Sequence, residues 1–179
     1  MTVQVFESHE ELGRSAATRI IETIKGSPHP VIGLATGSSP VPIYQGWADL
    51  AQEQGVDVSH VRCFALDEYC GLPHDHPESY HAVIARDAVE RIGLTPDLVQ
   101  VPEGLGDVAH NAEVYDRAIK EAGGIDVQIL GIGRNGHLGF NEPGSAFTSR
   151  TREIELMPET ISDNARFFDS ITEVPTTAI

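Results

Sequence analysis

Short apolar segments alternate with longer stretches of helical periodicity along most of this 179-residue chain. The clearest apolar segments are 31–35, 61–66 and 126–132, and each has the length of a buried strand. Parallel strands need long crossover connections, which helices usually supply. The alternation therefore predicts an α/β fold, with a mainly parallel sheet covered by helices on both faces.

Capping and turn signals place the helices between these segments. Ser8 and Glu11 have the spacing of a capping box, and Asp107 is a suitable N-cap residue. The predicted helices cover residues 8–25, 40–54, 79–93, 107–122 and 158–168, with Glu78 as an alternative start to Ser79 for the third. Two further strands are expected at 98–101 and 152–156. Since no linker, repeat or low-complexity segment interrupts the pattern, we expect one α/β domain over residues 1–179.

The last residues, 174–179, resemble the approach to another strand, and the chain ends inside this segment. A sheet normally includes the whole of such an apolar segment. We therefore expect the domain to be incomplete at its C-terminus.

The charge balance is strongly acidic, with 27 aspartates and glutamates against 12 lysines and arginines and a formal net charge of −15. Such a chain offers no basic surface to nucleic acid and is repelled by an anionic membrane. It shows no N-terminal signal pattern and no apolar stretch of membrane-spanning length. With only Cys63 and Cys70, and no Cys-x-x-Cys motif, we expect a cytoplasmic protein with reduced thiols.

Residues 131–142 read Gly-Ile-Gly-Arg-Asn-Gly-His-Leu-Gly-Phe-Asn-Glu and directly follow a predicted strand. In open α/β sheets, the loops at the carboxyl ends of the strands form the ligand site. The glycines permit a tight turn whose backbone can approach a ligand closely. His137 can carry a proton near neutral pH, and Glu142 can orient it. Although a lone histidine is more often structural, these groups together with the amide of Asn135 predict an active-site loop.

A second candidate segment, Thr36-Gly37-Ser38-Ser39-Pro40, joins a strand to the start of a helix. Backbone amides and the positive end of the helix dipole make such a turn receptive to phosphate, and the two serines add hydroxyl donors. The segment is neither a Walker loop, which ends in Gly-Lys-Ser/Thr, nor a Gly-x-Gly-x-x-Gly motif. The alternative interpretation is an ordinary strand–helix turn with an N-cap serine.

Two carboxylates, Asp67 and Glu68, follow the apolar segment 61–66. Since side chains alternate along a strand, at most one of them is expected to face the ligand crevice. Partial burial of that group would raise its pKa towards the range of a general base. The alternative interpretation is a helix cap or a surface ion pair.

Two weaker patterns involve histidines and arginines. His74, His76, Glu78 and His81 cluster in sequence, but prolines interrupt their loop and no familiar ligand set is complete, so no metal site is predicted. Arg166 lies in the last predicted helix and could close over an anion as a bidentate partner. The alternative interpretation for Arg150, Arg152 and Arg166 is a surface ion pair.

Several segments together closely resemble the glucosamine-6-phosphate deaminase family, whose members are also called glucosamine-6-phosphate isomerases. The matching segments are 34–40, 66–72, 76–80, 131–143, 149–152 and 164–168. They occur in the family's order and span nearly the whole chain, and their combination is highly specific. The resemblance implies a three-layer, Rossmann-like open sheet that lacks the family's C-terminal portion, because family members continue for roughly another third of the sequence.

The resemblance implies conversion of glucosamine 6-phosphate and water to fructose 6-phosphate and ammonia, without a metal or organic cofactor. It assigns ring opening to His137, supported by Glu142 and Asn135. It assigns removal of the proton on C2 of the sugar to Asp67. By the same analogy, the phosphate-binding residues are Thr36, Gly37, Ser38, Ser39 and Arg166. Two distinct proton transfers agree with the two separated groups that the residues themselves suggest.

The chain also departs from the family pattern. Some members have an aspartate where this chain has Asn135, and an amide cannot take a proton. Ser145 and Arg152 match positions that bind the allosteric activator N-acetylglucosamine 6-phosphate in some bacterial members, but Ile154 replaces a lysine used there. A lysine that contacts phosphate belongs to the C-terminal portion of the family. We therefore expect the acid–base groups without the complete phosphate site, and assembly into a homo-oligomer is left open.

Two alternatives remain open for the function. Proteins related to 6-phosphogluconolactonase also join a glycine-rich phosphate loop to a late histidine loop, although Asp67-Glu68-Tyr69 and residues 140–143 favour the deaminase. A non-catalytic remnant would bind a sugar phosphate without turnover, and the missing C-terminal portion is its main support. Ammonia release, lactone hydrolysis and ligand binding alone distinguish the three.

Overall fold

The computed structural model describes residues 2–179. Its strands are β1 (Val31–Leu34), β2 (Arg62–Ala65), β3 (Val99–Gln100), β4 (Val127–Gln128), β5 (Ile154–Glu155) and β6 (Thr177–Ala178). Its helices are α1 (His9–Gly26), α2 (Val41–Gln54), α3 (Tyr80–Ile84), α4 (Glu90–Ile92), α5 (Val108–Glu121) and α6 (Pro158–Asn164). A π-helical turn, Ala85–Val89, joins α3 to α4, and 3-10 turns cover Pro96–Leu98, Ala165–Phe167 and Ile171–Glu173.

The first four strands form one parallel sheet in the order β3-β2-β1-β4. Gly33 of β1 is opposite Phe64 of β2 on one side and Gln128 of β4 on the other. The chain thus moves outward from β1 to β3 and then returns to the far side of β1 for β4. Open α/β sheets bind ligands at the carboxyl ends of the strands where the order reverses, which here is between β1 and β4. The predicted parallel α/β sheet is confirmed.

Helices pack on both faces of this sheet. On one face, α1, α2, α3 and α4 bury a core that includes Ile20, Trp47 and Ile84. Gly13 of α1 lies so close to α2 that an added Cβ would be 2.2 Å from the carbonyl oxygen of Pro42. On the other face, Tyr115 of α5 meets the ring of Phe64 edge-on at 5.8 Å and donates a hydrogen bond to the Ala65 carbonyl oxygen. The predicted three layers are therefore present.

The predicted helix starts at Ser8 and Asp107 agree with the observed caps, and of the two alternatives left open for the helix that ends near Gly93, Ser79 is the N-cap and Glu78 is not. Ser8 Oγ accepts a hydrogen bond from the Glu11 amide, Ser79 Oγ from the Ala82 amide, and Asp107 from the His110 amide. The Glu11 carboxylate accepts from the amide of Glu7 instead of that of Ser8, so the capping box is closed one residue earlier than the motif implies.

The second sheet is small and antiparallel. It pairs β5 with β6, with Ile154 opposite Ala178, and Tyr69 also bridges to Ala178. The C-terminal apolar segment is thus a strand, as expected, but it joins β5 and the residues after β2 instead of the edge of the parallel sheet.

The fourth parallel strand is shorter than its apolar segment predicts. Although residues 126–132 were expected to be extended, β4 ends at Gln128, and only the Ile129 amide continues the pairing by donating to the Gly33 carbonyl oxygen. The Ile129 carbonyl oxygen accepts a hydrogen bond from the Gln128 side chain at 2.8 Å. Leu130 and Ile132 are 49% and 79% exposed. Within residues 2–179, no helix is long and apolar enough to cross a lipid bilayer.

Candidate active site

A cavity of about 350 Å³ opens at the carboxyl ends of β1, β2 and β4. The loops that follow these three strands all contribute to its wall, together with α3 and the turn after α6. Its volume lies in the range of small-molecule sites. The lining residues include Thr36, Gly37, Ser38, Ser39, Asp67, Tyr80, Gly133, His137, Gly139, Phe140 and Arg166. The candidate site thus lies at the reversal of the strand order.

The loop after β1 presents hydroxyl groups to this cavity. Gly37 has φ = +92°, a conformation that favours glycine, and it turns the chain from β1 towards α2. Pro40 is the N-cap residue of α2 and supplies no side-chain hydrogen bond. Ser38 and Ser39 are exposed, and within residues 2–179 neither hydroxyl caps the helix. The alternative of an N-cap serine is therefore wrong, and both hydroxyls are left for a ligand at the start of α2.

Asp67 is the buried carboxylate of the cavity and is only 6% exposed. Burial raises its pKa to about 7, the negative charge of Glu68 adds to the increase, and a hydrogen bond from the Phe140 backbone opposes it. Gly139, with φ = +59°, lies against this group, because an added Cβ would be 3.0 Å from Asp67 Oδ2. The carboxyl is thus held in a narrow space, with a pKa suited to a general base near neutral pH.

Glu68 points away from the cavity, as strand alternation predicts for one of the two neighbouring carboxylates. It is 1% exposed, and its oxygens accept hydrogen bonds from the backbone amides of Tyr80 and His81 at the start of α3. The helix-cap interpretation therefore applies to Glu68, whereas Asp67 faces the crevice.

His137 lies over Gly133 in the loop after β4. An added Cβ on Gly133 would be 2.2–2.5 Å from three atoms of the imidazole ring, so only glycine leaves room for the ring. The His137 Nδ1 atom is 3.3 Å from Thr160 Oγ1 and 3.8 Å from Glu142 Oε2. Within residues 2–179, the Nε2 atom has no hydrogen-bond partner. Since both Nδ1 neighbours are oxygens, they favour a proton on Nδ1 and leave Nε2 for a ligand.

A buried network supports His137. Glu142, 4% exposed, accepts hydrogen bonds from Asn135 Nδ2 at 2.8 Å and from the Met157 amide at 3.0 Å. Burial raises the pKa of Glu142, but hydrogen bonds from Thr160, Met157 and Asn135 and the nearby His137 outweigh it, so the pKa lies below its ordinary value. Glu142 is therefore held as a carboxylate beside the imidazole, and its orienting role stays a prediction. The structure brings together the three loop residues that the sequence singles out.

Arg166 follows α6 in a 3-10 turn and lines the same cavity. Its guanidinium carbon is 4.6 Å from the centre of the Phe167 ring. Within residues 2–179 it forms no ion pair, in contrast to Arg150, which lies 3.9 Å from Asp116, and Arg134, which pairs with Asp163. Of Arg150, Arg152 and Arg166, for which the surface-pair interpretation was the alternative, only Arg150 forms such a pair within residues 2–179, and Arg166 is available to an anion.

The two residues matched to the allosteric site contact each other outside this cavity. Arg152 Nη2 donates to Ser145 Oγ at 2.8 Å, and Arg152 Nη1 donates to Asn141 Oδ1 at 3.1 Å. Arg152 and Ile154 line a second cavity of about 180 Å³. Neither Ser145 nor Arg152 contributes to the candidate active site, so their role stays a prediction.

The histidine cluster has separate partners. The rings of His74 and His81 stack at 3.8 Å, and His76 stacks against Phe168. His74 contacts Glu103 at 3.0 Å, and His81 contacts Glu68 at 2.9 Å. In the part of the chain that the structure describes, no group of three or more histidines, cysteines, aspartates and glutamates is arranged to hold a metal ion.

Two residues of the site, Thr160 and Tyr80, were not predicted as site residues from the sequence. Thr160, 1% exposed, contacts both His137 and Asn135, and Tyr80 lines the cavity with its ring stacked on Phe140 at 5.6 Å. A threonine near the start of a short helix has no distinctive signal in one sequence. Tyr80 follows the helix N-cap and belongs to the matching segment 76–80, but the resemblance assigned it no role in the site.

The chain matches the family model described as glucosamine-6-phosphate isomerases/6-phosphogluconolactonase over residues 7–152. It is 51% identical to a glucosamine-6-phosphate deaminase of Bifidobacterium longum subsp. infantis and 46% identical to one of Arthrobacter sp. (strain FB24). Each alignment covers 98% of this chain and 68% of the relative.

Solved structures give the same result for the fold. A monomeric glucosamine-6-phosphate deaminase superimposes with a TM-score of 0.95 at 39% identity, covering 99% of this chain and 74% of the other. A 6-phosphogluconolactonase from Thermotoga maritima superimposes with a TM-score of 0.70 at 20% identity, over 84% of this chain and 69% of the other, which indicates the fold alone. The chain therefore belongs to the glucosamine-6-phosphate isomerase/6-phosphogluconolactonase family.

Proposed function

We propose that this chain converts glucosamine 6-phosphate and water to fructose 6-phosphate and ammonia, by aldose–ketose isomerisation coupled to loss of the amine. The observation that carries the proposal is one cavity that holds a buried carboxyl group, Asp67, and a separately supported imidazole, His137. The relatives named glucosamine-6-phosphate deaminase, at 46–51% identity, add to the support.

The phosphate group is proposed to bind between the loop after β1 and Arg166. The exposed hydroxyls of Ser38 and Ser39, the turn at Gly37 and the N-terminal amides of α2 provide hydrogen-bond donors. Thr36 lines the same wall. Arg166 supplies a positive charge without a competing carboxylate in the described residues, which suits a bidentate contact with phosphate oxygens. In a chain of net charge −15, this local set of donors is what holds an anionic substrate.

His137 is proposed to open the sugar ring. It moves a proton between the hydroxyl on C1 and the ring oxygen, so that the bond between C1 and the ring oxygen breaks and C1 becomes an aldehyde. Glu142 and Asn135 hold the loop so that the imidazole keeps one orientation. Such a positioned acid–base group contributes typically ~10²–10⁴-fold in rate.

Asp67 is proposed to act on the open-chain sugar. Its carboxylate takes the proton from C2 while the C1 oxygen gains a proton, which gives an enolamine. Return of a proton to C1 leaves an iminium group at C2. Water adds to C2, and ammonia leaves to give the ketone. A base with a pKa of about 7 is largely ionised in mildly alkaline solution and remains a strong enough base for this step.

The distinguishing experiment measures two products. The folded 179-residue chain is incubated with glucosamine 6-phosphate, and ammonia and fructose 6-phosphate are each determined by a coupled assay. Equal release of both is expected, and Asp67→Asn is expected to abolish it while the control Asp75→Asn, which alters an exposed carboxylate, retains it. Hydrolysis of 6-phosphogluconolactone without ammonia release would favour the lactonase. Thermal stabilisation by the sugar phosphate without turnover would indicate a binding remnant and contradict the proposal.

Compartment and assembly are part of the proposal. Cys63 and Cys70 are both free thiols, which supports a reducing compartment such as the cytoplasm. A homo-oligomer stays a prediction, and light scattering of the purified chain tests it.

A further inference from the structure

Glu68 is a buried carboxylate whose oxygens are both occupied by donors. Its Oε1 atom accepts from the amides of Tyr69 at 2.7 Å and Tyr80 at 2.9 Å. Its Oε2 atom lies 3.0 Å from the His81 amide and 2.9 Å from His81 Nδ1. A buried carboxylate costs free energy unless it has such partners, and here the partners come from α3 and from the residue after Glu68 itself. The side chain therefore ties the start of α3 to the end of β2.

The backbone of Glu68 is held from the other side. Its amide donates to the Ile179 carbonyl oxygen at 2.9 Å, and its carbonyl oxygen accepts from the Ile179 amide at 2.9 Å. Glu68 thus joins three parts of the molecule, namely β2, α3 and the segment of β6. Asp67, the preceding residue, is fixed by the same backbone.

We propose that Glu68 is a positioning residue of the candidate site, which holds Tyr80 in the cavity wall and sets the electrostatic environment of Asp67. The proposal rests on the proposed function for its kinetic consequences. The position of Tyr80 and the environment of Asp67 depend on the hydrogen bonds and the charge of Glu68, and both can be measured without turnover.

The first consequence concerns the wall of the cavity. Tyr80 is the first residue of α3, and its amide binds Glu68 while its ring stacks on Phe140 at an interplanar angle of 9°. The Phe140 backbone in turn hydrogen-bonds to Asp67. Displacement of the start of α3 would therefore disturb both the wall and the loop that carries the base.

The second consequence concerns charge. After burial, the negative charge of Glu68 is the next largest cause of the raised pKa of Asp67. A base that stays protonated to higher pH is also a stronger base once ionised. The titratable groups around Glu68 are Asp67, Tyr69, Cys70, Tyr80 and His81, and His81 stacks on His74, which contacts Glu103. Removal of the Glu68 charge should therefore favour the ionised form of Asp67.

The test is Glu68→Gln, which keeps the shape of the side chain but removes its charge. The pH dependence of kcat/KM is measured together with a pH titration of the ¹³C carboxyl resonance of Asp67, assigned by its loss in Asp67→Asn. We expect the midpoint of both curves to move to lower pH by about half a unit or more. The resonance requires no turnover, so an inactive parent chain would refute the proposed function while the titration still tests Glu68.

The control is Glu103→Gln, because Glu103 also contacts a histidine of the stacked pair but is not connected to Asp67. It is expected to leave the Asp67 midpoint unchanged. If Glu68→Gln does not fold, Glu68→Asp is used, and it is expected to keep the midpoint because the charge remains. An unchanged midpoint in folded Glu68→Gln, or an equal shift in Glu103→Gln or Glu68→Asp, would overturn the proposal.

Discussion

Replacing Asp67 by asparagine tests whether this buried carboxyl keeps a proton in the folded state near neutral pH. The pKa of Asp67 is raised from its ordinary value of 3.8 to about 7, mainly by burial. In the unfolded chain the carboxyl is in water and titrates at about 3.9. Between these two pKa values the folded state binds a proton that the unfolded state has lost. The free energy of unfolding must therefore fall as the pH rises through this window.

The size of the effect follows from the difference between the two pKa values. One pKa unit corresponds to about 1.4 kcal/mol, so a difference of roughly three units makes the contribution of Asp67 about 4 kcal/mol. This contribution is fully present below about pH 4 and is lost as the pH rises through about 7. An asparagine does not titrate. The variant should therefore gain stability relative to the unaltered chain as the solution becomes alkaline.

Urea denaturation at a series of pH values measures this difference directly. We expect the free energy of unfolding of Asp67→Asn, minus that of the unaltered chain, to grow by about 4 kcal/mol between about pH 4 and pH 8. Asp75→Asn is the matched control, because Asp75 is exposed in the loop before α3, and its difference curve is expected to stay flat. A flat curve for Asp67→Asn as well would refute the assignment of a raised pKa to this carboxyl.

Three further substitutions test the rest of the site. Thr160→Val removes a buried hydroxyl, and urea titrations are expected to show a free energy of unfolding lower by about 1–2 kcal/mol. The same variant is expected to lower kcat by ~10-fold, and an unchanged kcat would show that Thr160 does not support His137. Gly133→Ala places a Cβ 2.2–2.5 Å from the His137 ring and should displace the imidazole. We expect kcat to fall by ~10²-fold with little change in thermal unfolding, and full activity would contradict the close approach of Gly133 to His137. Arg166→Gln should raise KM for the sugar phosphate more than it lowers kcat, because the contact is with phosphate instead of the reacting atoms, and the opposite pattern would argue against a phosphate role.

The parallel sheet was predictable because its strands are buried on both faces and appear as continuous apolar segments. The local helix caps were predictable for a similar reason, since Ser8, Ser79 and Asp107 bind amides within three residues of themselves. The ends of the strands were harder to predict from the sequence. Residues 129–132 are as apolar as a strand, yet β4 ends at Gln128, because strand length depends on which neighbour is available for pairing.

The candidate site was predictable where residues cluster in sequence. Asn135, His137 and Glu142 lie in one loop, where Asn135 hydrogen-bonds to both of the others and His137 Nδ1 lies 3.8 Å from Glu142 Oε2. Thr160 completes the same network from 18 residues further along the chain, a contact that only the fold creates. Alternation along a strand predicts that Asp67 and Glu68 point in opposite directions. It does not predict that Glu68 binds the start of α3.

The measurement that tests the central claim most directly follows the proton on C2. Glucosamine 6-phosphate deuterated at C2 is given to the folded chain, and both the rate of ammonia release and the deuterium at C1 of the fructose 6-phosphate are determined. If Asp67 takes the proton from C2 and returns it to C1, turnover is slowed by the deuterium, part of the label appears at C1, and Asp67→Asn abolishes both turnover and transfer. Turnover in Asp67→Asn at a rate close to that of the unaltered chain, with the same transfer of label, would contradict the account.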